Sequence, residues 1–182
     1  MSKDKLYNVL IIDDEEKIAG IIEKYLRLYK GFDKIVIASD GVQAMQKISN
    51  QDFDLIITDL VMPKRDGLTL IDNLRKIPKY YKIKIMVVSG CLNKEMTILA
   101  MRKGIRQIVV KPFSARQILE KTFEALKLDK NPKQMADNII QKVSERLEKR
   151  KSLLQDATAD IDAKDQNMKI GFKVTLKVQK KC

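Results

Sequence analysis

The chain has 182 residues, 45% hydrophobic and 33% charged, with a formal charge of +12. That leaves room for one ordinary domain and an appendage, and it excludes a largely disordered chain. There is no histidine, and the only cysteines are Cys91 and Cys182, which excludes imidazole chemistry, a disulfide framework and a zinc centre. Residues 1–127 hold 23 basic and 16 acidic side chains out of 36 and 24 in all, so the positive charge is spread rather than concentrated. Such spreading argues against nucleic acid as the main partner, and only the stretch from Gln166 onward, purely basic, suits non-specific DNA contact. No apolar run approaches the roughly 18 to 20 residues that span a bilayer. The charged start, Met1 to Lys5, leads directly into a strand-like run, so no signal peptide and a cytoplasmic location are expected.

The first strand-like run is Tyr7–Ile12, followed by a helix whose apolar face is Ile18, Ile21, Ile22, Tyr25 and Leu26 at helical spacing. A second run, Lys34–Ala38, precedes Asp40-Gly41-Val42-Gln43, which has the form of a capping box. Further runs follow at Asp54–Thr58, Ile83–Val88 and Gln107–Val110, and Ser114-Ala115-Arg116-Gln117 then repeats the capping pattern. The runs are continuous in Ile and Val rather than alternating, as in strands buried on both faces of a parallel sheet. Five strands alternating with five helices predict an α/β, doubly wound sheet with right-handed crossovers. Ligands of such sheets sit outside the carboxyl ends of the strands.

Asn131-Pro132 closes this block, which predicts a domain over 1–128 and an appendage over 129–182. From Lys133 to Ile170 there is neither Gly nor Pro, and a long helix over about 132–162 is expected. Ile140, Val143, Leu147, Arg150, Leu154, Ala157 and Ile161 form a seam at heptad spacing, with Arg150 the one polar member. Glu145–Lys149 is its only favourable acid-to-base pair at a spacing of four, so this helix needs something to lie against. A partner helix or a second copy of the chain, the latter giving a homodimer through 132–182, is the expected occupant; docking on the chain's own block or fraying is the alternative. Ile170 to Gln179 alternates strictly and predicts an amphipathic strand over about 169–179, which is not stable alone.

The residues just after each strand carry the chemistry. They are Asp13-Asp14-Glu15 after the first, Asp59 after the third, Ser89 after the fourth, and Lys111-Pro112 after the fifth. Carboxylates gathered at one sheet edge repel unless a cation sits among them. Oxygen donors without His or Cys point to a hard cation, and Mg²⁺ fits best because it needs few protein ligands. One lysine and one hydroxyl at the same place suit a phosphoryl group, which a carboxylate can itself accept as an acyl phosphate.

Over residues 5–127 the chain resembles the receiver domain of two-component response regulators. The motifs that carry the resemblance are Asp13-Asp14, Asp59-Leu60-Val61-Met62-Pro63 with Asp66-Gly67, Ser89, and Lys111-Pro112-Phe113, in family order and spacing. The resemblance implies a flavodoxin-like (βα)5 fold with Asp59 as phosphoacceptor. It also implies Mg²⁺ held by Asp14 and Asp59, with Asp13 nearby and the Val61 carbonyl as a further donor. Ser89 and Lys111 would contact the phosphoryl group, and a sensor histidine kinase or phosphotransfer protein would donate it. Ile108 departs from the family pattern, which usually has an aromatic residue three positions before the lysine. Gly90 stands where Ala is common, and Cys91 reads as a bland rim residue. No output enzyme is visible in the appendage, so the chain is expected to act as a switch and not as an enzyme. The competing readings are a scaffold that works by protein contacts without phosphorylation, and a regulator with a DNA-binding basic tail.

Overall fold

The computed structural model describes residues 5–62, 67–90 and 92–154. Five parallel strands, β1 (Tyr7–Ile12), β2 (Phe32–Ala38), β3 (Leu55–Thr58), β4 (Lys84–Ser89) and β5 (Gln107–Val110), form one sheet in the order β2-β1-β3-β4-β5. This is the flavodoxin-like arrangement, and its direction of winding reverses between β1 and β3. The helices are α1 (Glu16–Leu26), α2 (Gly41–Asn50), α3 (Gly67–Lys76), α4 (Lys94–Arg102) and α5 (Ala115–Leu126).

Alternate residues of each central strand serve opposite cores. Leu10, Ile12, Ile56, Ile85 and Val87 pack on one face with Ala44 and Ile48 of α2, Leu70, Ile71 and Leu74 of α3, and Ala100 of α4. Val9, Ile11, Leu55, Ile57, Met86 and Val88 pack on the other with α1 and with Ile118 and Ala125 of α5. Two buried faces require apolar residues at every position, which is why these runs do not alternate. At the sheet margins the rule lapses: β2 carries the exposed Asp33 and Lys34, and Val110 of β5 is exposed.

On α1 the apolar face is Ile18, Ala19, Ile22, Tyr25 and Leu26. Ile21, read as part of that face, is 37% exposed and turns to solvent, because it stands about 100° around the helix from Ile22, and the buried stripe is centred on Ala19, Ile22 and Leu26. The Asp40 side chain accepts from the Val42 and Gln43 amides, and Gln43 reaches back to Ser39 instead of closing the box on Asp40. At Ser114 the capping box is complete.

The first compact unit runs Met1–Ile140, past Leu128. Residues 132–140 are helical, and their Ala136 is fully buried with Leu119 and Phe123 of α5. Met135, Ile139 and Ile140 flank the same cluster. Residues 141–154 belong to the second unit and are also helical. There Gln141 donates to Glu145 at 2.9 Å, and Lys151 pairs with Glu148 at 3.1 Å. Of the seam residues, Leu147 is 53% exposed and Leu154 is exposed as well. The remainder of the expected helix and the expected strand over 169–179 lie outside the described residues.

Candidate functional site

The backbone ladder extends one residue beyond three strands and fixes the chemistry-bearing positions. The Asp13 amide donates to the Ala38 carbonyl of β2, the Asp59 amide to Ile12 of β1, and the Lys111 amide to Ser89 of β4. Asp13, Asp59 and Ser89 are buried. Lys111 starts from the sheet margin, about 10 Å from β3 at the usual strand spacing, a span that only a long side chain crosses.

Asp59 is held on both carboxylate oxygens. Its Oδ1 accepts from Ser89 Oγ at 2.6 Å and from the Val61 amide at 3.0 Å, and its Oδ2 accepts from Lys111 Nζ at 2.8 Å. The same ammonium lies 2.9 Å from Asp13 Oδ2 and 3.3 Å from Glu15 Oε1. Asp13 Oδ1 accepts from the Glu15 amide. Its buried Oδ2 receives no aligned hydrogen from Lys111, so that contact is an ion pair with lone pairs to spare. The Lys111-Pro112 peptide is cis.

Four of the sequence-predicted residues, Asp13, Asp59, Ser89 and Lys111, therefore meet at one point. Asp14 is exposed beside them without an ion pair among the described residues. Val61 contributes its amide to Asp59 and leaves its side chain open. Pro63, Asp66 and Cys91 lie outside the described residues. Ile108 is half-buried against the helical layer of α2, α3 and α4. A Cβ on Gly90 would meet only Lys111 Cβ and Cδ at 3.8 Å, so Ala fits there.

Three participants were not assigned these roles from sequence. Glu15 shares Lys111, buried Thr58 donates its hydroxyl to the Asp59 carbonyl at 2.8 Å, and Gly67 presses on that carbonyl. A Cβ on Gly67 would lie 2.1 Å from Asp59 O, while the Gly67 amide bonds Leu60 O at 2.9 Å. Gly67→Ala must therefore move the backbone that carries Asp59. It should cost about 1–3 kcal/mol in a urea titration.

Burial drives the Asp13 carboxyl above its ordinary value, and this outweighs Lys111 and the Glu15 amide, which act in the opposite direction. Burial of Lys111 works to lower its value, but its pairing with Asp13 and Asp59 outweighs burial and raises it. An acid with a raised folded-state value stabilises the fold below its unfolded value, near 3.8, and loses that contribution as pH rises. Ionised Asp13 is thus a cost at neutral pH. Asp13→Asn should melt higher than wild type at pH 7 in metal-free buffer. The gap should narrow as pH is lowered toward 3.8; a gap independent of pH would refute this origin.

The donor chemistry suits a hard cation, since every candidate ligand is oxygen and Asp13 Oδ2 is buried without an aligned donor. Among the described residues no three acidic groups are gathered as a ready-made metal cluster. The Lys111 ammonium occupies the space between them.

The family model for the response regulator receiver domain matches residues 9–123. The chain belongs to the response regulator receiver family. As a receiver domain of two-component signalling it is 31% identical over 126 residues to chemotaxis protein CheY-3 of Vibrio cholerae, covering 68% of this chain and 96% of that protein. It is also 31% identical to chemotaxis protein CheY of Bacillus subtilis, over 63% of this chain and 92% of that one. The probable C4-dicarboxylate response regulator DctR of Bacillus subtilis matches at 31% identity, with 64% of this chain covering 52% of that protein. Among solved structures, a response regulator from Chloroflexus aurantiacus is similar at TM-score 0.62 and 26% identity, covering 68% of this chain and 99% of that one. A CheY-like receiver domain protein from Methanospirillum hungatei matches at 0.62 and 27%, covering 68% and 96%. No helix among the described residues is long and apolar enough to cross a membrane.

Proposed function

We propose that this receiver is a phosphorylation-controlled switch in which Asp59 accepts a phosphoryl group from the phosphohistidine of a sensor kinase or phosphotransfer protein. The observation that carries this reading is the Asp59 carboxylate gripped between Ser89 Oγ and Lys111 Nζ at a buried sheet edge. A carboxylate oxygen of Asp59 attacks phosphorus, the P–N bond breaks, and the imidazole leaves with the electron pair. Lys111 and Ser89, already within hydrogen-bond distance of Asp59, are placed to follow the charge onto the new phosphoryl oxygens. Asp13, Asp14, Asp59 and the Val61 carbonyl would hold Mg²⁺. When bound, Mg²⁺ supplies neutralising charge for the phosphoryl oxygens. Incubation of the full chain with acetyl phosphate and Mg²⁺ should add one phosphoryl group by intact mass.

The phosphoryl group should be long-lived. Hydrolysis needs a water aligned with the acyl phosphate, and the positions two after Asp59 and two after Ser89 are Val61 and Cys91. Neither side chain offers a carboxylate or amide to orient water. A half-life of many minutes or longer is expected in Mg²⁺, and one of seconds would contradict this reasoning.

The Lys111 bridge favours a second reading. Because one ammonium already bridges Asp13, Glu15 and Asp59, the carboxylates are tied together without metal or phosphate. A scaffold read by protein contacts alone would keep this state, and it would take up no phosphate under the same conditions. In either case the chain acts as a switch or scaffold and not as an enzyme with an output reaction, and the part of the appendage beyond Ile140 mediates homodimerisation.

A further inference from the structure

At the amino ends of β4 and β5, opposite the Asp59 edge, lies a groove of about 850 Å³. That volume falls within the roughly 300–1,000 Å³ of small-molecule sites. Its walls are tied together by cations that are already committed. The half-buried Arg75 guanidinium donates to the carbonyls of Tyr81 at 2.9 Å, Ile83 at 3.2 Å and Lys103 at 3.3 Å. Lys103 in turn pairs with Asp72 of α3. Gly104, in the left-handed region at φ 80°, ends α4 with its amide on Met101 O while Ile105 bonds Ala100 O; this closes the helix end against the groove.

Five further cations line the groove without an acidic partner among the described residues: Lys82, Lys84, Arg102, Arg106 and Lys127. The two acids of the lining are both engaged, Asp72 by Lys103 and Glu124 by Lys121. Helix C-termini account for Arg102 and Lys127, where cations oppose the negative end of the dipole. They do not account for Lys82, Lys84 and Arg106, which stand at and before the starts of β4 and β5. Tyr81 lines the same groove and is 57% exposed.

We propose that this groove binds a nucleoside polyphosphate. Several unpaired cations, two of them guanidinium groups, match a ligand that carries its negative charges on adjacent phosphates. The open Tyr81 ring offers a stacking surface for the base. The struts from Arg75 and Lys103 hold the walls in place before binding, so little ordering cost falls on the ligand. A bounded concavity fits a single nucleotide better than a long nucleic-acid strand, which needs a continuous basic track.

The test is titration of the full chain with ATP in EDTA, free of divalent cations so that the Asp59 edge is not recruited, read by backbone amide shifts. Shifts should centre on Lys84, Gly104 and Gln107. The double substitution Lys84→Glu/Arg106→Glu should weaken ATP binding about tenfold or more, because each exchange replaces attraction with repulsion. Tyr81→Ala should weaken ATP by about fivefold while leaving inorganic triphosphate unchanged. Every substituted residue is exposed, and a thermal melt of each variant reports an intact fold. Absence of shifts at millimolar ATP, or shifts confined to the Asp59 edge, overturns the proposal. Triphosphate binding as tightly as ATP overturns the nucleoside part, and an oligothymidylate binding far more tightly than ATP transfers the groove to single-stranded nucleic acid. None of these outcomes depends on whether Asp59 is phosphorylated.

Discussion

Asp59→Asn should take up no phosphoryl group from acetyl phosphate in Mg²⁺, with labelling reduced to background, while the protein remains folded. The side-chain oxygen of Asn can still accept from Ser89 Oγ and the Val61 amide, the two bonds now made to Asp59 Oδ1. What is lost is the anionic oxygen at 2.8 Å from Lys111 Nζ, and with it both the nucleophile and one ion-pair partner. Lys111 keeps Asp13 and Glu15, so no buried ammonium is left unpaired. The stability change should therefore stay within about 1 kcal/mol in either direction. Two measurements check this, intact mass after labelling and a thermal melt. Labelling at a rate comparable to wild type, with the modification mapped to Asp13, would move the acceptor to the other buried carboxylate of the site.

The sheet was legible in the sequence because its central strands are buried on both faces and allow only apolar residues. The runs of β1, β3, β4 and the edge strand β5 could be read within one residue of their observed bounds. β2 was read two residues short, since its first residues sit at the margin, where Asp33 and Lys34 are exposed and the apolar signal fades. The convergence of Asp13, Asp59, Ser89 and Lys111 was legible for a related reason: each directly follows a recognisable strand, and parallel strands deliver their carboxyl ends to one edge. The role of Glu15 was not, because nothing in its spacing tells which way an exposed carboxylate turns. Gly67 was visible only as part of a family motif. Its physical reason, a Cβ that would strike the Asp59 carbonyl, exists only in three dimensions. The basic groove was equally hidden, because its cations come from four separate stretches of a chain whose charge looked evenly spread.

A chain ending at Leu128 should be less stable than one ending at Ile140, although both contain all five strands. The reason lies in the small third cluster. Leu119, Phe123 and Ala136 are fully buried there, and Phe123 meets Tyr29 edge-on at 5.1 Å. Removing 129–140 takes away Ala136 with its neighbours Met135, Ile139 and Ile140 and opens the outer side of α5 to water. Exposing the equivalent of one to two large apolar side chains should cost about 2–4 kcal/mol. The Arg116–Asp137 pair at 2.6 Å goes too, but both groups are nearly half exposed and contribute little. Urea midpoints should separate the two truncations, and equal midpoints would show that 132–140 adds nothing to the fold. The same contrast governs how dimerisation is tested. A chain cut at Leu128 presents a fresh apolar patch and can self-associate for that reason alone. Light scattering should therefore compare the full chain with the version ending at Ile140. Val143, Leu147 and Leu154 lie beyond that cut, where Leu147 and Leu154 are exposed, and each contributes about 1.5–3 kcal/mol if fully buried against a second copy. A dimeric full chain that becomes monomeric at Ile140 assigns association to 141–182. Two monomeric masses would remove the dimer.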